Sequence, residues 1–196
     1  MAHINLEGPA GRLEARLDSN NAGRAVLLCH PHPLYGGSMD DLVLDAIAEA
    51  HQSAGYDVLR FNFRGVGHSE GSHDNGRGEV DDILAAADWL ENAGYDRIIL
   101  GGYSFGAIMA MAATARRDFD GAVLVAPPVS MAADIRVPSL PLCVITGDED
   151  QIVDAAEVET LFSPGRVHVI HHADHFFHGF HHQIRTIVTA FLRDVT

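Results

Sequence analysis

The chain has 196 residues, enough for one domain with a substantial core and too few for two of ordinary size. Its formal charge of -14, with 13 Arg and no Lys, gives no basic patch for phosphate backbones or anionic lipid surfaces. It also excludes lysine-dependent mechanisms: Schiff bases, pyridoxal chemistry, Ser-Lys hydrolysis and the P-loop. No stretch offers the roughly 18 uninterrupted apolar residues of a membrane span. The N-terminus, Met-Ala-His-Ile-Asn-Leu-Glu, lacks the basic segment and apolar run of an export signal. The expectation is a single cytoplasmic domain over 1–196, binding neither nucleic acid nor membrane, with oligomeric state left open, a homodimer included. Cys29 and Cys143 sit within apolar runs and read as buried thiols, not as a disulfide.

The chain opens with a hairpin around Gly8-Pro9-Ala10-Gly11, then alternates apolar runs with helical patterns. That alternation implies a mostly parallel sheet flanked by helices. The strand candidates are Ala25–Cys29, Asp57–Phe61, Ile98–Leu100, Ala122–Val125, Leu142–Ile145 and Val167–Ile170, short apolar runs suited to burial on both faces. Ser38-Met39-Asp40-Asp41 reads as a capped helix start with a stop at Gly55. A second helix spans Glu79 to Asn92, with Ile83, Leu84, Ala87 and Leu90 at helical spacing and Trp89 as packing. Further helices follow Ser104, cover about Ala155 to Leu161, and run from Phe180 to Arg193. The connection from Pro127 to Pro141 carries little helical pattern beyond Met131-Ala132-Ala133 and is too short for a lid domain, so a site at the strand ends should be open.

The chemistry concentrates where the strand at 98–100 meets Gly102-Tyr103-Ser104-Phe105-Gly106 and then a helix of small residues. Strand, Gly-x-Ser-x-Gly turn and helix together define a nucleophile elbow, which lifts Ser104 above the strand end. The first amides of the helix then face any negative charge developing on a bound carbonyl oxygen. A serine hydroxyl needs a base and an orienting acid. Asp148, Glu149, Asp150 and Asp154 follow the strand at 142–145, and a histidine-rich segment follows the strand at 167–170, giving the chain order serine, acid, histidine. On residue type alone, all four carboxylates remain open as the acid.

Four segments together resemble the α/β-hydrolase superfamily, and more narrowly its small lidless dienelactone-hydrolase-like members, over nearly the whole chain. They are His30 to Gly37, Arg60 to Gly71, Gly147-x-x-Asp150-x-x-Val153, and Asp174-His175-Phe176-Phe177. The resemblance implies an α/β-hydrolase fold with Ser104, His175 and Asp150 as a triad. It also implies an oxyanion hole of the Phe105 amide and an amide of the loop after the first parallel strand. Pro31 and Pro33 have no N–H to give, and the resemblance to the family's His-Gly-x loop implies His32 as the first candidate, with Leu34 and Tyr35 behind it. Dienelactone hydrolase itself uses a cysteine nucleophile, so its substrate does not transfer to a chain with Ser104.

The expected activity is a serine carboxylesterase, or a thioesterase, working on a small-molecule ester through an acyl-enzyme without cofactor. Amide hydrolysis of the aminopeptidase or dipeptidyl-peptidase kind is the alternative. Candidate substrate contacts are His30, Leu34, Tyr35, Tyr103 and Arg64, the last with an internal acidic partner as its competing role. The recurrence of His172, His175, His178 and His181 at every third residue raises a metal-binding reading. That spacing drifts around a helix and cannot bring four imidazoles to one ion.

Overall fold

The computed structural model describes residues 2–131, 136–162 and 166–195. Strands β1 (Ala2–Gly8) and β2 (Gly11–Asp18) form the expected hairpin. Then come β3 (Arg24–Cys29), α1 (Leu42–Ser53), β4 (Asp57–Phe61), α2 (Arg77–Asn92), β5 (Arg97–Tyr103), α3 (Phe105–Thr114) and β6 (Gly121–Val125). The chain closes with β7 (Leu142–Gly147), α4 (Ala155–Phe162), β8 (Val167–Ile170) and α5 (His181–Val195). The sheet order is β1-β2-β4-β3-β5-β6-β7-β8, antiparallel through β4 and parallel from there on. Helix α1 packs against α5, and α2 against α3. The parallel strands β6 and β7 are buried at every position, which explains why their sequences read as apolar runs rather than alternations.

Two boundaries differ from the sequence reading for local reasons. Strand β5 continues through Gly101-Gly102-Tyr103 because its neighbour β6 remains paired there, with Gly102 opposite Leu124 and Tyr103 opposite Val125. Helix α2 starts at Arg77 rather than Glu79 because the Glu79 carboxylate reaches back to accept the N–H of Gly76, so Glu79 is a third-position capping residue. Helix α1 begins one residue after Asp41, whose carboxylate accepts the N–H groups of Val43 and Leu44. In the 127–141 connection Met131 ends a short 3-10 turn from Val129, while the reading of Ala132 and Ala133 falls outside the described residues. Among the described residues no helix is long and apolar enough to cross a membrane.

Strand order sets the location of the site. From β3 the chain crosses to β4 on one side and then to β5 on the other, so the connections diverge between β3 and β5. That switch point leaves a crevice at the carboxyl ends of the strands, flanked by the loop after β3 and the turn after β5.

Candidate active site

Ser104 links β5 to α3 with φ 53 and ψ -119, a conformation that a side-chain-bearing residue adopts only when its surroundings enforce it. Three contacts do so. The Ser104 N–H donates to the Val125 carbonyl at 2.8 Å, extending the β5–β6 ladder into the turn. A Cβ on Gly102 would stand 2.5 Å from the Gly106 carbonyl oxygen. One on Gly106 would stand 2.1 Å from the Cys29 carbonyl oxygen, so α3 approaches the end of β3 as closely as only glycine allows.

The hydroxyl of Ser104 lies 3.0 Å from His175 Nε2, and His175 Nδ1 lies 2.7 Å from Asp150 Oδ2. A carboxylate only accepts, so the proton sits on Nδ1 and Nε2 is left to accept from Ser104. The other Asp150 oxygen accepts the N–H groups of Ile152 and Val153 at 2.8 and 2.9 Å, and its side chain is wholly buried. Asp148, Glu149 and Asp154 do other things. The first two pair with His171 and His172 at the surface, and Asp154 caps the start of α4 through the Ala156 N–H. The Glu149 carboxylate raises the pKa of His172, and the His171 imidazole lowers that of Asp148. The histidine-rich segment is thus divided among separate carboxylates. Among the described residues no three His, Cys, Asp or Glu side chains are gathered as metal ligands.

His175 is carried between two fully buried anchors, Ala173 and Phe177. Gly147 at the end of β7 admits the Ala173 carbonyl where a Cβ would stand 2.2 Å from it. The loops that carry His175 and Asp150 are therefore packed together independently of the hydrogen bond between the two side chains.

The amides beside Ser104 narrow the oxyanion candidates. The Leu34 N–H donates to His32 Nδ1 at 3.2 Å, and the Tyr35 N–H to the His32 carbonyl at 3.1 Å, so both are engaged. Neither the Phe105 N–H at the head of α3 nor the His32 N–H has an acceptor among the described residues. Their rings lie 4.9 Å apart, which brings the loop after β3 onto the elbow.

Of the expected substrate contacts, Leu34 and Tyr35 stand at the surface, 69% and 88% exposed. The other three are turned inward. His30 is buried, with Nδ1–H donating to the Pro31 carbonyl at 2.6 Å and Nε2 accepting from the Phe63 N–H at 3.0 Å. Both its nitrogens pin the backbone, and burial lowers its pKa to about 4. Arg64 takes its internal alternative, wrapped on the Asp82 carboxylate through Nε and a terminal nitrogen at 2.6 Å. Tyr103 is buried with its phenol donating to the His175 carbonyl at 2.8 Å. Two features lay outside the sequence reading: this Tyr103 tether, and the imidazole of His73, which packs 5.8 Å from the Phe105 ring. The Gly76-x-x-Glu79 capping pattern was the available signal for the second, since it fixes Glu79 beside the loop that carries His73.

A serine hydrogen-bonded to a histidine at the strand ends of a mostly parallel sheet points to the class, an α/β hydrolase of the serine type. The chain belongs to the alpha/beta hydrolase fold family, which its residues 24–142 match. It is 40% identical over 197 residues to the uncharacterized protein RP471 of Rickettsia prowazekii (strain Madrid E), covering 90% of this chain and 82% of that one. Its structure is similar to an alpha-beta serine hydrolase homologue from Coxiella burnetii, with TM-score 0.90, 34% identity and 96% of each chain covered. It is also similar to XC6422 from Xanthomonas campestris, an a/b serine hydrolase without a lid, with TM-score 0.89, 33% identity, and 98% of this chain and 94% of that one covered.

Proposed function

We propose that the protein is a carboxylesterase or thioesterase that cleaves a small-molecule ester through an acyl-enzyme, with Ser104, His175 and Asp150 as triad. The observation that supports this is the continuous relay from Ser104 Oγ to His175 at 3.0 Å and on to a buried Asp150 at 2.7 Å. His175 Nε2 takes the hydroxyl proton as Oγ attacks the carbonyl carbon, and Asp150 holds the imidazole in the receptive tautomer. The same nitrogen then gives that proton to the leaving group, and water repeats the sequence to release the acid. The free N–H groups of Phe105 and His32 are the donors for the developing oxyanion. Each such donor contributes on the order of 3 kcal/mol in serine hydrolases. An alkoxide or thiolate leaves more readily than an amine, so esters precede amides.

Mass spectrometry after fluorophosphonate treatment tests the reading, since the reagent phosphonylates only an activated serine. The expected result is one adduct on Ser104, absent from Ser104→Ala, with turnover of short-chain aryl esters above that of dipeptide amides. A folded protein without the adduct would overturn it.

A further inference from the structure

Strand β1 is one edge of the sheet, and its outer side presents a row of backbone groups that β2 does not use. The two-residue turn at Pro9-Ala10 decides which groups these are. Gly8 stands opposite Gly11 across that turn as a hydrogen-bonded pair, so alternation turns the N–H and C=O groups of Gly8, Leu6 and Ile4 toward β2. Those of His3, Asn5 and Glu7 point outward, and among the described residues they meet no donor or acceptor.

Native proteins blunt such an edge by keeping it short, or with a proline, a lysine or a bulge. None of these is present in β1. It runs for seven residues, Ala2–Gly8, and pairs with β2 position by position without a break. The opposite edge, β8, has only four residues. The ionisable side chains of β1 are His3 and Glu7, both exposed. Arg12 stands opposite Glu7 on β2 but gives its guanidinium to Glu70, and Glu7 acts on it through charge alone.

This edge is complementary to itself. A two-fold axis beside Asn5, the central residue of the strand, lays β1 antiparallel to β1 of a second copy, pairing Asn5 with Asn5, His3 with Glu7 and Ile4 with Leu6. The outward-facing residues then occupy hydrogen-bonded positions, in three pairs of two N–H···O=C bonds each. Of the registers that set outward groups against outward groups, this one alone pairs the strand over its full length. Glu7 then faces an imidazole, which offers an N–H in either protonation state, instead of a second carboxylate. Half-buried Ile4 meets Leu6 of the second copy at a position where side chains approach most closely, so the apolar stripe beneath β1 continues across the axis.

We propose that the protein is a homodimer joined along β1, with the two sheets continuous through the Asn5 axis. The interface is remote from Ser104: β1 lies four strand spacings, about 19 Å, from β5, so pairing leaves both crevices open.

Sedimentation velocity over a concentration series tests this, with circular dichroism to check folding. Wild-type protein is expected to sediment as a dimer at micromolar concentration. Asn5→Pro removes an outward N–H that β2 does not use, and should weaken association about tenfold or more while the hairpin stays folded. His3→Glu sets carboxylates opposite each other on both sides of the axis and should weaken it likewise. Combining His3→Glu with Glu7→His exchanges the pair and should restore the dimer. Wild-type protein that stays monomeric throughout the series overturns the proposal, as does a dimer indifferent to Asn5→Pro and His3→Glu. A loss in His3→Glu that the exchange does not reverse overturns the Asn5-centred pairing.

Discussion

Tyr103 precedes Ser104, yet its phenol reaches His175: its hydrogen bond to the His175 carbonyl joins β5 to a loop 72 residues away. Burial and the nearby Asp41, Asp150 and Asp174 carboxylates push its pKa far up, so it stays a donor throughout the working range. Tyr103→Phe should leave the protein folded, with stability lower by about 1–3 kcal/mol for the buried carbonyl left unpaired. The same change should lower kcat by about five- to tenfold through a loosened His175, with KM little altered. Steady-state kinetics beside urea unfolding would check both, and an unchanged kcat would assign the phenol to stability alone. Ser104 stood out because it lies in a short turn motif between strand and helix, whereas Asp150 and His175 were singled out among their acidic and histidine-rich neighbours only by the family resemblance. His30, Arg64 and Tyr103, read as candidate substrate contacts, turn inward onto Phe63, Asp82 and His175, which are 33, 18 and 72 residues away. No local pattern records such a pairing.

At the scale of elements, the site depends on how closely α3 can approach β3. A methyl on Gly106 would meet the Cys29 carbonyl, which is backbone of a buried central strand and has nowhere to move. Gly106→Ala should destabilise the fold by about 3 kcal/mol or more, or abolish soluble expression. Gly94 follows α2 with φ 92 and nothing within 4 Å of its missing Cβ, so Gly94→Ala should cost about 1–2 kcal/mol, for backbone strain alone. Chemical denaturation of the two variants checks the contrast; similar losses would mean that the close approach is less rigid than it looks. The order of helices and strands was readable because each run has one period. Strand β5 was read three residues short at its end because Gly101 and Gly102 carry no apolar side chain, although their backbones stay paired with β6.

Across the whole molecule, two buried histidines set an acid limit. Burial lowers the pKa of His30 and of His51 to about 4 each. In the unfolded chain each would protonate near 6.5, so their stabilising effect is complete above pH 6.5 and is lost as pH falls toward 4. The loss from one such group between pH 7.5 and pH 5 is about 2 kcal/mol. His51 donates Nδ1–H to the Ile47 carbonyl, and its Nε2 is buried. His51→Leu should therefore be less stable than wild type at pH 7.5, and the gap should narrow by about 2 kcal/mol at pH 5, measured by urea unfolding. A gap independent of pH would show that His51 does not drive the acid transition.

The sequence by itself pointed to the α/β-hydrolase class, the order of elements, and Ser104 and a histidine-rich segment at strand ends, because hydrophobic period and turn chemistry are properties of neighbouring residues. Folding decided which of four acidic residues reaches His175, and that the Leu34 and Tyr35 amides are already engaged while those of His32 and Phe105 have no acceptor among the described residues. It also turned Arg64 and His30 into the interior and set His73 over Glu79 beside the elbow. These outcomes depend on burial and on partners far along the chain, where the free energy of an unpaired polar group, rather than local preference, selects the arrangement.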